Sequence, residues 1–171
     1  MKLLVLTGAS GSGKTTIANS VAARELPSAP VVLHFDSIGV PSPERILREY
    51  CSPEAWQEQK TIEWFQTIRD GYADRRAILF EGQMRIAFVR AALALAKIEH
   101  AELILVDCDD ETRLRRLRVE RGQADLATER MITWAAFLRE EALTSGTTIL
   151  ETTGRSIPDS VEYVIQRLSL D

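Results

Sequence analysis

Near its start the chain carries Gly8-Ala9-Ser10-Gly11-Ser12-Gly13-Lys14-Thr15, a glycine followed after four residues by Gly-Lys-Thr. This octet constrains the fold more than any other feature. It is the pattern of a phosphate-holding loop, which works only between a strand that ends at its first glycine and a helix that starts near its lysine. Both flanks have that character. Residues 3–6 are a short aliphatic run, and residues 14–26 place Ile17, Val21 and Ala22 on one helical face. The glycines let backbone amides turn inward around an anion without Cβ clashes. The helix start points its positive dipole end at the same place. Lys14 is expected to bring charge to the β- and γ-phosphates of a nucleotide, and the Thr15 hydroxyl to ligate Mg²⁺. Gly8, Ala9, Ser10, Gly11, Ser12, Gly13, Lys14, Thr15 and Thr16 form the expected nucleotide-binding set, with ATP and Mg²⁺ as cofactors. A chance flexible Gly/Ser loop would not need either flank.

Four more runs have the same buried-strand character: 31–35, 77–80, 103–106 and 148–150. They are aliphatic or β-branched, nearly continuous and bounded by turn residues, as parallel strands covered on both faces are. Helical segments alternate with them at 43–50, 53–70, 84–97, 111–121 and 129–143. Ser42-Pro43 and Ser52-Pro53 each read as an N-cap followed by proline at the first helical position. Ser156-Ile157-Pro158-Asp159 opens a last helix with a near capping box. The alternation predicts one α/β domain over 1–171, a three-layer, doubly wound, parallel five-stranded sheet with a short lid. An acceptor-binding helical segment is expected at about 37–75 and the lid at about 110–128.

A formal charge of −4 lacks the basic field of a nucleic-acid binder. Cys51 and Cys108 match no metal or redox spacing and read as reduced thiols of a cytoplasmic protein. The apolar start is too short for a secretion signal, and no run reaches the ~18 apolar residues of a membrane span. The expected partner is a small-molecule acceptor, with no nucleic acid and no membrane, in a monomer or homodimer.

Ligands of doubly wound sheets sit beyond the carboxyl ends of the strands. Asp36 follows the second strand and is placed to orient an acceptor hydroxyl or take its proton. Glu81 follows the third strand and is placed to hold the Mg²⁺ water shell or the attacking group. Strand-end acids also start turns, and Asp109 or Asp110 reads as the cap of the next helix, with Asp107 given no other role. Arg113, Arg115, Arg116, Arg118 and Arg121 crowd one short helix. Arg113 and Arg116 share a face, and guanidinium groups suit the charge of a transferring phosphoryl group, so both are candidate catalytic residues beside Lys14 and Asp36. Pairing with Glu111 and Glu120 on a solvated helix is the competing reading. Trp56, Trp64, Phe65 and Tyr72 read as core. His34 and His100 have no partner pattern.

With these residues in place, the sequence resembles the small-molecule and nucleotide kinases of the P-loop superfamily, among them adenylate, shikimate and gluconate kinases. Glu81-Gly82-Gln83-Met84-Arg85 is similar to the Asp-Gly-Phe-Pro-Arg signature of adenylate kinases, with Glu for Asp and no proline. The resemblance implies that Arg85 binds a phosphate or carboxylate of the acceptor. The arginine helix is similar to the lid helix of these enzymes, where Arg116 stands in an Arg-Leu pair. Their second arginine, four residues on, is Glu120 here, with Arg121 adjacent. A lid this short, with no cysteine cluster, is not expected to hold zinc. Thr152-Thr153-Gly154-Arg155 resembles the loop that packs on adenine, which makes Arg155 a nucleotide contact. Asp36 resembles the substrate-binding acid of shikimate and nucleoside kinases. The implied activity is transfer of the γ-phosphate of ATP to a small hydroxyl- or phosphate-bearing acceptor. The alternative is an ATPase or nucleotide-dependent regulator acting through a protein partner. A GTPase would carry Asn-Lys-x-Asp, which the sequence lacks.

Overall fold

The computed structural model describes residues 1–26 and 28–168. Five strands, β1 (Lys2–Thr7), β2 (Val31–His34), β3 (Ala77–Gly82), β4 (Ala101–Asp107) and β5 (Thr148–Glu151), form one sheet in the order β2-β3-β1-β4-β5. Every pairing is parallel. Among the described residues the α-helices are α1 (Lys14–Ala22), α2 (Pro43–Tyr50), α3 (Pro53–Gly71), α4 (Ile86–Leu95), α5 (Asp110–Arg115), α6 (Glu129–Ser145) and α7 (Ile157–Leu168).

Alternation along the strands sorts the core into two layers. Leu4, Leu6 and Leu79 pack with α1 and α7. Leu3, Val5, Ile78 and Phe80 face the other way, against Phe65 and Ile68 of α3 and Val89 of α4. Trp56 and Phe65 are buried there, and Trp64 and Tyr72 are partly buried against them. Leu105 meets Leu138 and Ala142 of α6 in the same layer. The sheet is therefore covered on both faces, which is why the middle residues of its strands are mostly apolar.

Several elements end earlier than their apolar patterns do. Phe35 leaves β2 and enters a tight turn, Phe35–Ile38, with its ring in the core. Helix α4 starts at Ile86 because Met84 is tied across to β1: its N–H donates to Thr7 Oγ1 at 3.1 Å, and that hydroxyl donates to its carbonyl at 2.5 Å. Helices α2 and α3 start where expected, capped by the hydroxyls of Ser42 and Ser52. Asp109 Oδ1 accepts from Thr112 N and caps α5.

The chain leaves β1 towards β2 on one side and leaves β3 towards β4 on the other. That change of direction opens a crevice beyond the carboxyl ends of β1 and β3, where such sheets take ligands.

Candidate active site

The octet wraps the crevice between β1 and α1. Gly8 is required there because a Cβ would lie 2.2 Å from the Val106 carbonyl oxygen. Lys14 is 7 % exposed. Burial pushes its ammonium below the usual lysine range, and the negative charges of Glu81 and Asp36 pull it back, with Arg121 and Arg113 pushing down again.

Glu81 closes β3 and is 5 % exposed. Thr15 Oγ1 donates to its Oε2 at 3.1 Å. Thr15 and Glu81 present oxygen donors only, side by side and next to Lys14, which fits a hard cation such as Mg²⁺ better than softer metals. Among the described residues there is no cluster of three or more His, Cys, Asp or Glu groups that could hold a metal by themselves. An ion here would rely on phosphate oxygens and water for its other ligands.

A cavity of about 210 Å³ opens beside the loop, lined among others by Lys14, Thr15, Thr16, Arg116, Arg121 and Arg155. Arg155 lies with its guanidinium carbon 5.3 Å from the Tyr163 ring centroid and donates to the Asp159 carbonyl. Asp36 sits exposed in the turn after β2.

Three arginines differ from expectation. Arg113, expected at the transferring phosphate, is fully buried behind the loop. Its guanidinium donates to Asp107 Oδ1 at 2.5 Å, to the Cys108 carbonyl at 3.0 Å and to the Ser10 carbonyl at 3.1 Å. A buried cation needs a partner, and Asp107 supplies it. Arg116 faces the cavity but bonds to protein. It donates to the Ser12 carbonyl at 3.2 Å, to Thr152 Oγ1 at 2.9 Å and to the Thr152 carbonyl at 3.1 Å, so it clamps the loop to the 152–155 segment. Arg85 is ion-paired with Glu54 and lies 4.6 Å from the Phe137 ring centroid. The pair engages its Nη1.

The residue between those roles is Arg121. From Arg116 to Glu120 the chain winds as a wide π turn, and the Arg121 N–H donates to the Arg116 carbonyl at 3.0 Å. Five residues, not four, complete the turn, so Arg121 takes the place over Arg116 that Glu120 would have in a regular helix. It is exposed, lines the cavity, and makes no side-chain hydrogen bond or ion pair among the described residues.

Sequence reasoning also missed Asp107, which joins Arg113 to Arg139 of α6 at 2.7 Å, while Arg139 reaches Glu151 at 2.5 Å. Asp107→Ala should strand the buried Arg113 charge and lower stability by about 3–5 kcal/mol. Urea unfolding followed by circular dichroism measures this, and an unchanged midpoint would refute it. Gln57 and Gln83 were missed as well. Gln83 Oε1 accepts from Ser10 N at 2.9 Å, and Gln57 Nε2 donates to the Gln83 carbonyl at 3.0 Å, so α3 sets the turn that follows β3.

A parallel sheet in this strand order, a glycine-rich loop around a buried lysine, and an acid at the end of the neighbouring strand define a P-loop nucleotide-binding protein. The sequence profile of the AAA domain family matches residues 4–132, and the chain belongs to that family. No curated protein matches it in sequence. Solved structures share the fold at low identity. One is an unliganded sugar kinase from Janibacter sp. HTCC2649, with TM-score 0.66 and 20 % identity over 99 % of this chain and 95 % of that one. Another is shikimate kinase from Acinetobacter baumannii in complex with shikimate, with TM-score 0.64 and 16 % identity over 99 % and 94 %. A third is a gluconokinase from Sinorhizobium meliloti 1021, with TM-score 0.65 and 14 % identity over 98 % and 91 %. The fold is the P-loop kinase fold of these proteins. Among the described residues no helix is long and apolar enough to cross a membrane.

Proposed function

We propose that the protein is a kinase that moves the γ-phosphate of ATP to a hydroxyl or phosphate oxygen of a small molecule, with Mg²⁺ as its ion. One observation carries this reading. The buried Lys14 lines the cavity with Arg121, whose cation has no ion-pair partner among the described residues, and Glu81 accepts from the adjoining Thr15 hydroxyl at 3.1 Å. Phosphoryl transfer asks for that mixture. Cations must meet the charge that grows on the phosphoryl oxygens, and a carboxylate must hold or deprotonate the acceptor.

In this reading the loop amides and Lys14 cradle the phosphates, and Arg155 borders the base. Thr15 and Glu81 hold the ion, which when bound neutralises charge on the phosphates. Asp36 orients the acceptor oxygen. The new phosphorus–oxygen bond forms as the bond to the β-phosphate oxygen breaks. The products are a phosphorylated acceptor and ADP.

The test is ADP formation measured alone and with a panel of hydroxylated and phosphorylated metabolites. A kinase is slow alone and fast with one acceptor. Stimulation by a protein partner only would refute the proposal. Lys14→Ala should leave the fold intact, as judged by circular dichroism, and remove acceptor-dependent turnover, because Lys14 acts on charge that develops during transfer. Wild-type turnover by this variant at saturating ATP would contradict the assignment.

A further inference from the structure

His34 is the last residue of β2 and stands opposite Glu81 in the parallel β2–β3 register. Opposed residues leave a sheet on the same face. The two side chains meet there, His34 Nδ1 lying 2.7 Å from Glu81 Oε1. A carboxylate oxygen accepts, so the imidazole donates through Nδ1. The other oxygen, Oε2, accepts from Thr15 at 3.1 Å. With one donor on each oxygen, the carboxylate can neither rotate nor swing without breaking a bond. Glu81 is held from two elements, by β2 through His34 and by α1 through Thr15. The His34 side chain is 36 % exposed and that of Glu81 6 %, so the imidazole closes the open side of a buried carboxylate.

We propose that His34 is a positioning residue for the ion-binding pair: its Nδ1–H holds Glu81 Oε1 so that Oε2 stays beside the Thr15 hydroxyl. The inference rests on the nucleotide-binding reading above and adds to it a third residue that touches neither nucleotide nor acceptor. The physical reason is preorganisation. A free carboxylate loses rotational freedom when it takes up an ion, whereas one already fixed does not, so the fixed site fills at lower ion concentration.

The test needs neither acceptor nor turnover. Binding of a fluorescent ADP derivative is titrated at rising Mg²⁺ and, separately, in EDTA. His34→Phe keeps a ring in place but removes the donor. His34→Asn carries an amide N–H close to the position of Nδ1. His34→Phe is expected to raise the Mg²⁺ concentration for half-maximal tight binding by about 10–100-fold, the usual effect of losing such an outer partner. Affinity in EDTA should stay at the wild-type value, and His34→Asn should restore most of the Mg²⁺ response. Should His34→Phe fail to fold, His34→Gln, whose donor lies one bond too far out, replaces it with the same expected outcome. Unchanged Mg²⁺ dependence in His34→Phe would overturn the proposal. So would a His34→Asn variant no better than His34→Phe, or an equal loss of affinity in EDTA, which would mark general damage to the crevice. A wild-type protein that bound no ADP under either condition would overturn the proposed function itself, a result separate from any ranking of the variants.

Discussion

Arg121→Ala should reduce acceptor-dependent turnover by about 10³–10⁵-fold, the scale on which an arginine at a transferring phosphoryl group acts. The affinity for ADP should hardly change, because the charge that Arg121 meets develops only during transfer. The prediction follows from where the guanidinium groups end. Arg113 is enclosed by Asp107 and two carbonyls, and Arg116 is bonded to the loop and to Thr152. Arg115 has Glu120 at 3.7 Å. Arg121 alone combines a place on the cavity, an electrostatic effect on Lys14 and the absence of a partner among the described residues. The measurement is kcat and the ADP dissociation constant for Arg121→Ala, with Arg115→Ala as the control. A control as damaged as the variant, or a fully active Arg121→Ala, would refute the assignment.

Asp36→Asn should cut turnover by about 10²–10⁴-fold, the range for losing a general base. The Michaelis constant for ATP should stay near the wild-type value, since the proposed role of Asp36 is towards the acceptor and not the nucleotide. The side chain is exposed, but its backbone is not free to wander. Phe35 beside it is 2 % exposed, and Trp64 Nε1 donates to the Phe35 carbonyl at 3.2 Å. Gly82 lets this packing exist, because a Cβ there would fall 2.3 Å from the Phe35 Cβ. Steady-state kinetics with ATP and acceptor varied in turn separate the two effects. If Asp36→Asn kept its turnover and lost only ATP affinity, the acid would belong to the nucleotide and not to the acceptor.

The sheet and the phosphate loop were legible because both are written in consecutive residues: apolar runs of strand length, and an octet whose backbone does the binding. Asp36 and Glu81 were legible by position, as acids at strand ends, although β3 runs on through Glu81 to Gly82. What escaped depends on pairings distant in sequence. His34 meets Glu81 across 47 positions, and Asp107 meets Arg139 across 32. A histidine at a strand end has no periodicity to reveal which neighbour it will face. The arginine helix was misread for a different reason. Regular spacing puts Arg113 and Arg116 on one face, but Arg113 is turned into the protein, and Arg116, at the cavity, is bonded to the loop and to Thr152. The π turn then changes the period, so Arg121, which four-residue spacing rejects, joins Arg115, Arg116 and Glu120 on the cavity lining.

The clamp made by Arg116 has a mechanical consequence. Arg113, Arg116 and Leu117 root the first part of the segment expected to act as a lid in the phosphate loop, and Leu117 and Arg113 are wholly buried. A segment anchored in this way cannot swing as one piece about its start at Asp110. Any closure over a bound ligand has to pivot beyond Leu117, at the π turn, where the winding is already loosened. A tip that moved there would carry Arg121, along an arc set by its anchored base.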